Sequence, residues 1–323
     1  MHRRSSHWKM AATGLMALGT VVLTAGCGQD IRVFNPAGPV GRSELQLIWL
    51  QMTLTAVVIV PVIALMAWIV IRYRKKPGNQ APYQPDWAES KTLEIIWWGI
   101  PIVIVAVLGT VSVHKTYALA QSPNKNVQPL KIEVTSLDWK WLFQYPDQKI
   151  ATVNYVEIPT NRPVEFLLTA NAPMNAFWVP NLGGMEYTMP GMVMGLWLQA
   201  DKTGNFYGHG GNFTGPGFAS MQFRVVAATP SQFNDWVNQV ANDAPDMTQA
   251  DYNKLVKPST VGEISFSSYP PGIFKNTVLN DGGKYMPHDL KMLNSVDSSS
   301  SSANQGNAAN PNSSGNSSKN SSK

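Results

Sequence analysis

The sequence contains a single cysteine, Cys27, in 323 residues. No disulfide can close within the chain, and no site in it can use two thiolates. Histidine is nearly as scarce. His2, His7, His114, His209 and His288 lie far apart, with no HxxxH or HxH spacing. That scatter argues against a metal site built by this protein alone. Charge is sparse too, at 14% of residues, and the net excess of +5 forms no stripe between aromatics. A nucleic-acid partner is therefore not expected. Much of the basic charge sits at the N-terminus and in the run Arg72, Arg74, Lys75 and Lys76.

Apolar character is what the chain has in quantity. The first such stretch reads as a signal peptide, residues 1–26. His2 to Lys9 form a basic region, Met10 to Leu23 an apolar one, and Thr24-Ala25-Gly26 a small-residue end. A lone Cys27 after small residues is the pattern of a lipoprotein signal, in which that cysteine is lipidated and becomes the new N-terminus. A short extracytoplasmic segment, 27–44, would follow.

Two longer apolar runs come next, Leu45–Ile71 and Leu93–Val113. Each supplies the roughly 20 residues a bilayer needs. Pro61 and Pro101 lie inside them, which membrane helices tolerate better than soluble ones. Trp49, Trp68, Trp97 and Trp98 lie towards their ends, where aromatic belts form. The first run has no charge and the second has only Glu94. Between them stand Arg72, Arg74, Lys75, Lys76 and Lys91 against Asp86 and Glu89. The positive-inside rule puts this loop in the cytoplasm, so both ends of the mature chain face outward. Residues 45–114 are thus expected to form a transmembrane hairpin.

Beyond residue 125 the pattern changes to short β-rich runs separated by Pro and Gly. Lys131–Thr135, Val164–Leu168, Val193–Leu198 and Met221–Val226 are examples. About 100 residues of this kind, 125–228, predict a β-sandwich or barrel. In Ser231–Val240, Phe233, Trp236, Val237 and Val240 share one helical face. They begin a partly helical extension, 229–297. The Ser/Asn-rich tail 298–323 has no large apolar residue and is expected to be disordered.

Three blocks carry a family resemblance: Val134-Thr135-Ser136-Leu137-Asp138-Trp139-Lys140-Trp141, Tyr145–Asn154, and Asn212-Phe213-Thr214-Gly215-Pro216-Gly217-Phe218-Ala219-Ser220-Met221. They resemble subunit II of the haem-copper oxidases from about Gln29 to Leu290, most nearly the quinol-oxidising bo type. The resemblance implies an α+β membrane protein, a two-helix transmembrane hairpin followed by a cupredoxin-like β-sandwich or barrel. It further implies a bacterial inner-membrane location with the large domain in the periplasm. The implied partners are a subunit I carrying haems and copper, small membrane subunits III and IV, membrane lipid, and ubiquinol as substrate of the complex.

The departure from the family pattern is informative. Relatives that oxidise cytochrome c hold two copper ions with two His, two bridging Cys, a Met and a backbone carbonyl. By the resemblance the first His falls at Asn175, the two Cys at Gly210 and Thr214, the carbonyl at Asn212, the second His at Phe218 and the Met at Met221. Only Met221 is kept. Soft bridging thiolates make a dinuclear copper site possible, and Gly and Thr cannot replace them. No metal and no cofactor is therefore expected in this chain, and no cytochrome c partner. His209 beside the loop is expected to face solvent.

Glu94 is the remaining candidate. An intramembrane acid is a functional candidate, and the resemblance places it at the mouth of a proton-uptake channel. It also suits a helix N-terminus through the macrodipole, and the two roles are compatible. Trp139 and Trp141 are expected to pack in core or interface. Met185, Met189, Met192 and Met194 are expected to fill contacts with the large subunit rather than bind copper. Two other functions stand against the oxidase reading. A copper-bearing cytochrome c oxidase subunit II needs the missing thiolates. An assembly factor or copper chaperone needs soft-ligand clusters and leaves Glu94 unexplained.

Overall fold

The computed structural model describes residues 31–75, 77–82, 87–285 and 291–293. The leader 1–26, Cys27, Lys76, Asp86, His288 and the tail 298–323 fall outside the described residues.

Helix α1 spans Pro39–Tyr73 and α2 spans Lys91–Leu119. Both run beyond the apolar stretches that predicted them, because the stretch marks what lipid covers rather than where the helix ends. Pro39 at the first helical position sacrifices only an N–H that has no partner in any helix. Helix α2 starts at its cap: the Ser90 hydroxyl accepts from Leu93 N–H at 3.5 Å. At about 1.5 Å per residue, the 35 residues of α1 span roughly 52 Å. That exceeds a hydrocarbon core of about 30 Å, so the ends of α1 stand clear of it. Both helices are long and apolar enough to cross a membrane, and their most apolar windows are wholly unburied within this chain.

Eleven strands build the β-domain. Strands β1 (Leu130–Leu137), β2 (Lys140–Tyr145), β3 (Ile150–Val153), β4 (Tyr155–Pro159) and β5 (Val164–Ala170) come first. Then follow β6 (Asn175–Trp178), β7 (Met185–Thr188), β8 (Met194–Leu198), β9 (Gly204–Gly210), β10 (Gln222–Ala228) and β11 (Ile264–Phe266). One sheet has the order β11-β3-β2-β1-β5-β8, the other β4-β10-β9-β6-β7. The β1–β5 and β4–β10 pairs are parallel.

Side chains alternate across each strand, and this sorts the core. Ile132 and Val134 of β1 join Trp141, Phe143 and Tyr145 of β2 between the sheets. Phe177 stacks on Phe223 at 4.8 Å, and Trp141 meets both rings edge-on at 5.4 and 5.5 Å. Leu137 and Leu142 point to the opposite face of the first sheet.

That outer face is covered as well. After helix α3 (Pro230–Asp243) come α4 (Gln249–Leu255), β11 and α5 (Ile273–Asn280). Helix α3 packs Phe233, Trp236, Val237 and Val240 on the main core, the face its periodicity predicts. Tyr252, Leu255 and Ile273 cover Leu137, Leu142 and Val153. The sheet thus takes a strand, β11, from beyond Ala228, where the sequence pattern suggested that the domain ends. A three-residue strand is too short to show alternation. Two buried polar grips hold this extension. Lys140, fully buried, donates from Nζ to the carbonyls of Asp138, Leu255 and Lys257 at 2.8, 2.9 and 3.0 Å. Asn154 Nδ2 donates to Val261 O at 2.8 Å.

Candidate functional site

The loop aligned with a copper centre lies at one end of the second sheet. Asn175 opens β6, Gly210 closes β9, and Met221 directly precedes β10. Pairing of β6 with β9 sets Phe177 opposite Gly210. Gly210 N–H donates to Met221 O at 3.4 Å.

Asn175 closes the group. Its fully buried side chain donates from Nδ2 to Met221 Sδ at 3.0 Å. Its Oδ1 accepts from Ala176 N–H at 2.8 Å and from Asn212 N–H at 3.3 Å. A Cβ on Gly210 would lie 2.7 Å from Asn175 Oδ1 and 2.8 Å from Nδ2. Real Cβ atoms do not come that close, so glycine at 210 and the amide at 175 are two halves of one packing solution.

Thr214 and Phe218 take other partners. Trp139 Nε1 donates to Thr214 O at 3.1 Å, and the Phe218 ring meets Phe213 edge-on at 5.7 Å. Trp139 has φ 63°, a left-handed conformation that is costly for so bulky a residue. Its indole covers Gly217, where a Cβ would come within 2.3 Å of the ring. Trp139 therefore braces the loop, and the loop's glycines make room for it. Trp141, by contrast, is wholly core.

The chemistry of the six positions follows. They present an amide, a bare backbone, a second amide, a hydroxyl, a phenyl ring and one thioether. None is an anionic soft donor, and the amide at 175 fills the volume that a side chain at 210 would use. These residues do not fit a dinuclear copper centre. Among the described residues, no three His, Cys, Asp or Glu side chains come together to hold a metal.

His209, expected to face solvent beside the loop, is on strand β9. It is half-buried, with its ring 5.1 Å from that of Trp178 and 5.3 Å from that of Tyr207. Nδ1 donates to Gly210 O at 2.8 Å. The methionine run divides. Met194 packs against the main core, while Met185 is 47% exposed. A Cβ on Gly211 would lie 2.8 Å from Met185 Sδ, so β7 lies against the loop. Met174, Met185, Tyr187 and Phe213, the last 80% exposed, make this end of the domain apolar.

Glu94 stands apart from all this. It lies exposed in the first turn of α2, its N–H donating to Ser90 O at 2.9 Å. Leu119, at the other end of α2, packs against the β-domain core. The 29 residues of α2 cover about 43 Å, so Glu94 is at the end of the hairpin remote from the β-domain.

Comparison with known proteins agrees with this architecture. The family model described as cytochrome c oxidase subunit II, periplasmic domain, matches residues 142–228, and the one for its transmembrane domain matches residues 35–114. The protein named quinol oxidase subunit 2 of Bacillus cereus (strain ATCC 14579) is 45% identical over 271 residues, covering 83% of this chain and 92% of that one. Its namesake in Bacillus subtilis (strain 168) is 40% identical over 257 residues, covering 79% and 80%. Cytochrome bo(3) ubiquinol oxidase subunit 2 of Pseudomonas aeruginosa is 39% identical over 267 residues, covering 82% and 80%. With its two apolar helices and its two-sheet outer domain, this chain is a membrane protein and belongs to the cytochrome c oxidase subunit II family.

Proposed function

We propose that this chain is the non-redox subunit II of a proton-translocating quinol oxidase that reduces oxygen to water in an aerobic respiratory chain. The carrying observation is the Asn175 amide, packed where a side chain at Gly210 would stand. A domain without soft bridging ligands offers no acceptor for an electron from cytochrome c. The donor then reaches the enzyme through the membrane. The Bacillus relatives are named for quinol and the Pseudomonas relative for ubiquinol. Ubiquinol is the donor we assign.

Haems and the oxygen-reducing copper belong to subunit I, and subunits III and IV complete the complex. The chain alone is inactive. Its hairpin crosses the bacterial inner membrane, with the β-domain in the periplasm and Glu94 at the cytoplasmic mouth of a proton path. Cys27 carries the lipid anchor. The exposed apolar side chains of Met174, Met185, Tyr187 and Phe213 support a seat on subunit I, because apolar and aromatic side chains dominate interface cores. Copper-dependent cytochrome c oxidation and copper delivery both need a donor set that these positions lack.

Purification of the intact complex tests the reading. Oxygen uptake is expected with a short-chain ubiquinol and not with reduced cytochrome c. Turnover on cytochrome c, or stoichiometric copper in this subunit, would overturn it. Glu94→Ala is expected to slow proton-coupled turnover at unchanged subunit content, and unchanged turnover would remove Glu94 from the proton path.

A further inference from the structure

The first membrane helix is built into the β-domain rather than tethered to it. Asn181 Nδ2 donates to the carbonyls of Arg32 and Asn35 at 3.2 and 2.9 Å, which fixes the approaching chain. Ala37 then bridges two loops. Its N–H donates to Asn181 O at 2.7 Å, and its carbonyl accepts from Asp201 N–H at 2.8 Å. Helix α1 begins without a side-chain cap. Instead Gly41, in its first turn, donates its N–H to Leu182 O at 2.9 Å. Those first-turn donors have no partner inside a helix, so tilting α1 away from the domain would strand this one.

Packing agrees with the hydrogen bonds. A Cβ on Gly38 would lie 1.9 Å from Gln199 O, so the two backbones touch. Ala37 and Val40 are each 5% exposed and belong to the same apolar cluster as Leu182 and Leu198. Arg42 pairs with Asp201 beside them. The second helix is tied as well. Leu119, its last residue, packs against that cluster.

We propose that the hairpin and the β-domain form one rigid unit within this chain alone, locked at residues 37–42, so that the tilt of the domain over the membrane is set before any partner binds. Domains joined in one chain move relative to each other by default, unless the interface between them is substantial and apolar. Here the first turn of α1 lies in the core itself. The partner therefore meets the apolar end of the domain and the membrane hairpin in a fixed relation. Association then carries no ordering cost at this joint. The lock is independent of which donor the assembled oxidase uses, so the two proposals can fail separately.

Pulsed EPR distances test it. Spin-labelled unnatural amino acids replace Met66, exposed on α1, and Gln239, exposed on α3. The full chain is measured alone in lipid nanodiscs and again within the purified complex. One narrow distance distribution is expected, the same in both. Gly38→Ala, which drives a Cβ into Gln199 O, is expected to broaden or shift it. Gly99→Ala, where no atom lies within 4 Å, is expected to leave it unchanged. A broad distribution in the chain alone that narrows only in the complex would overturn the proposal, and so would a narrow, unshifted one in Gly38→Ala. The comparison of the two unsubstituted samples decides the matter even if Gly38→Ala does not fold.

Discussion

The side-chain amide of Asn175 donates to the thioether sulfur of Met221 across 3.0 Å, and both groups are buried. The same amide accepts two backbone N–H groups through Oδ1. Replacing it with an apolar group of similar size, Asn175→Leu, leaves those N–H groups without their acceptor. A buried polar group left unpaired costs about 1–3 kcal/mol. Asn175→Leu is expected to lower the stability of the full chain by about 2 kcal/mol, read by denaturant unfolding followed through tryptophan fluorescence. An unchanged midpoint would show that the amide does not hold this end of the sheet.

Gly210 and Asn175 are expected to be strongly coupled. Gly210→Cys forces a Cβ to within 2.7 Å of the Asn175 amide and should destabilise by about 1–3 kcal/mol, the usual range for overpacking. Removing the opposing amide as well, in Asn175→Gly/Gly210→Cys, should recover part of that loss. A double-mutant cycle measures the coupling. Simple additivity would refute the shared packing.

Lys140→Met tests the grip on the C-terminal extension. The substitution keeps an unbranched apolar stem but removes the donor to three carbonyls. A loss of about 3 kcal/mol is expected from carbonyls left without their charged donor. Amide hydrogen exchange should quicken chiefly across α4 and the turn to Lys257, whose carbonyls the ammonium holds to the sheet. Equal quickening everywhere would assign Lys140 a general role instead.

Glu157 predicts a pH dependence of stability. Burial raises its carboxyl to about 7, against an opposing pull from the Arg224 guanidinium. The folded state therefore holds a proton that the unfolded state releases near 4.5. Between those values the folded state binds more protons, so stability falls as pH rises from about 4.5 to 7 and is level above. Glu157→Gln should abolish that slope and raise stability at pH 8 by about 2 kcal/mol, after allowance for partial solvent access. Parallel pH profiles for the two proteins would contradict this assignment.

The sequence makes some of this legible and hides the rest, for physical reasons. Leu45–Ile71 and Leu93–Val113 announce membrane helices because lipid demands continuous apolarity. The face of α3 is legible because its period of 3.6 is local. The retained β-signature around Trp139, with the ligand positions replaced, is enough to place the chain in its family. What Asn175 does in place of a ligand is not legible, since it depends on Gly210, thirty-five positions away in sequence, and on strand register. The joint at Ala37–Arg42 is hidden for the same reason. Much of it is backbone contact to Asn181, Leu182, Gln199 and Asp201, and backbone groups carry no sequence signature. His209 is half-buried rather than solvent-facing because it lies on β9 beside the ring of Trp178, a neighbour that strand pairing and not local sequence supplies.

A loop closed by a neutral amide reaches its final shape from the polypeptide alone. Metal-bearing domains couple part of their folding to delivery of the ion and to the protonation of its ligands. Paired cysteines add exposure to the oxidising chemistry outside the cytoplasm. The Asn175–Gly210–Met221 arrangement is free of both. Copper shortage would thus leave the folding of this loop untouched.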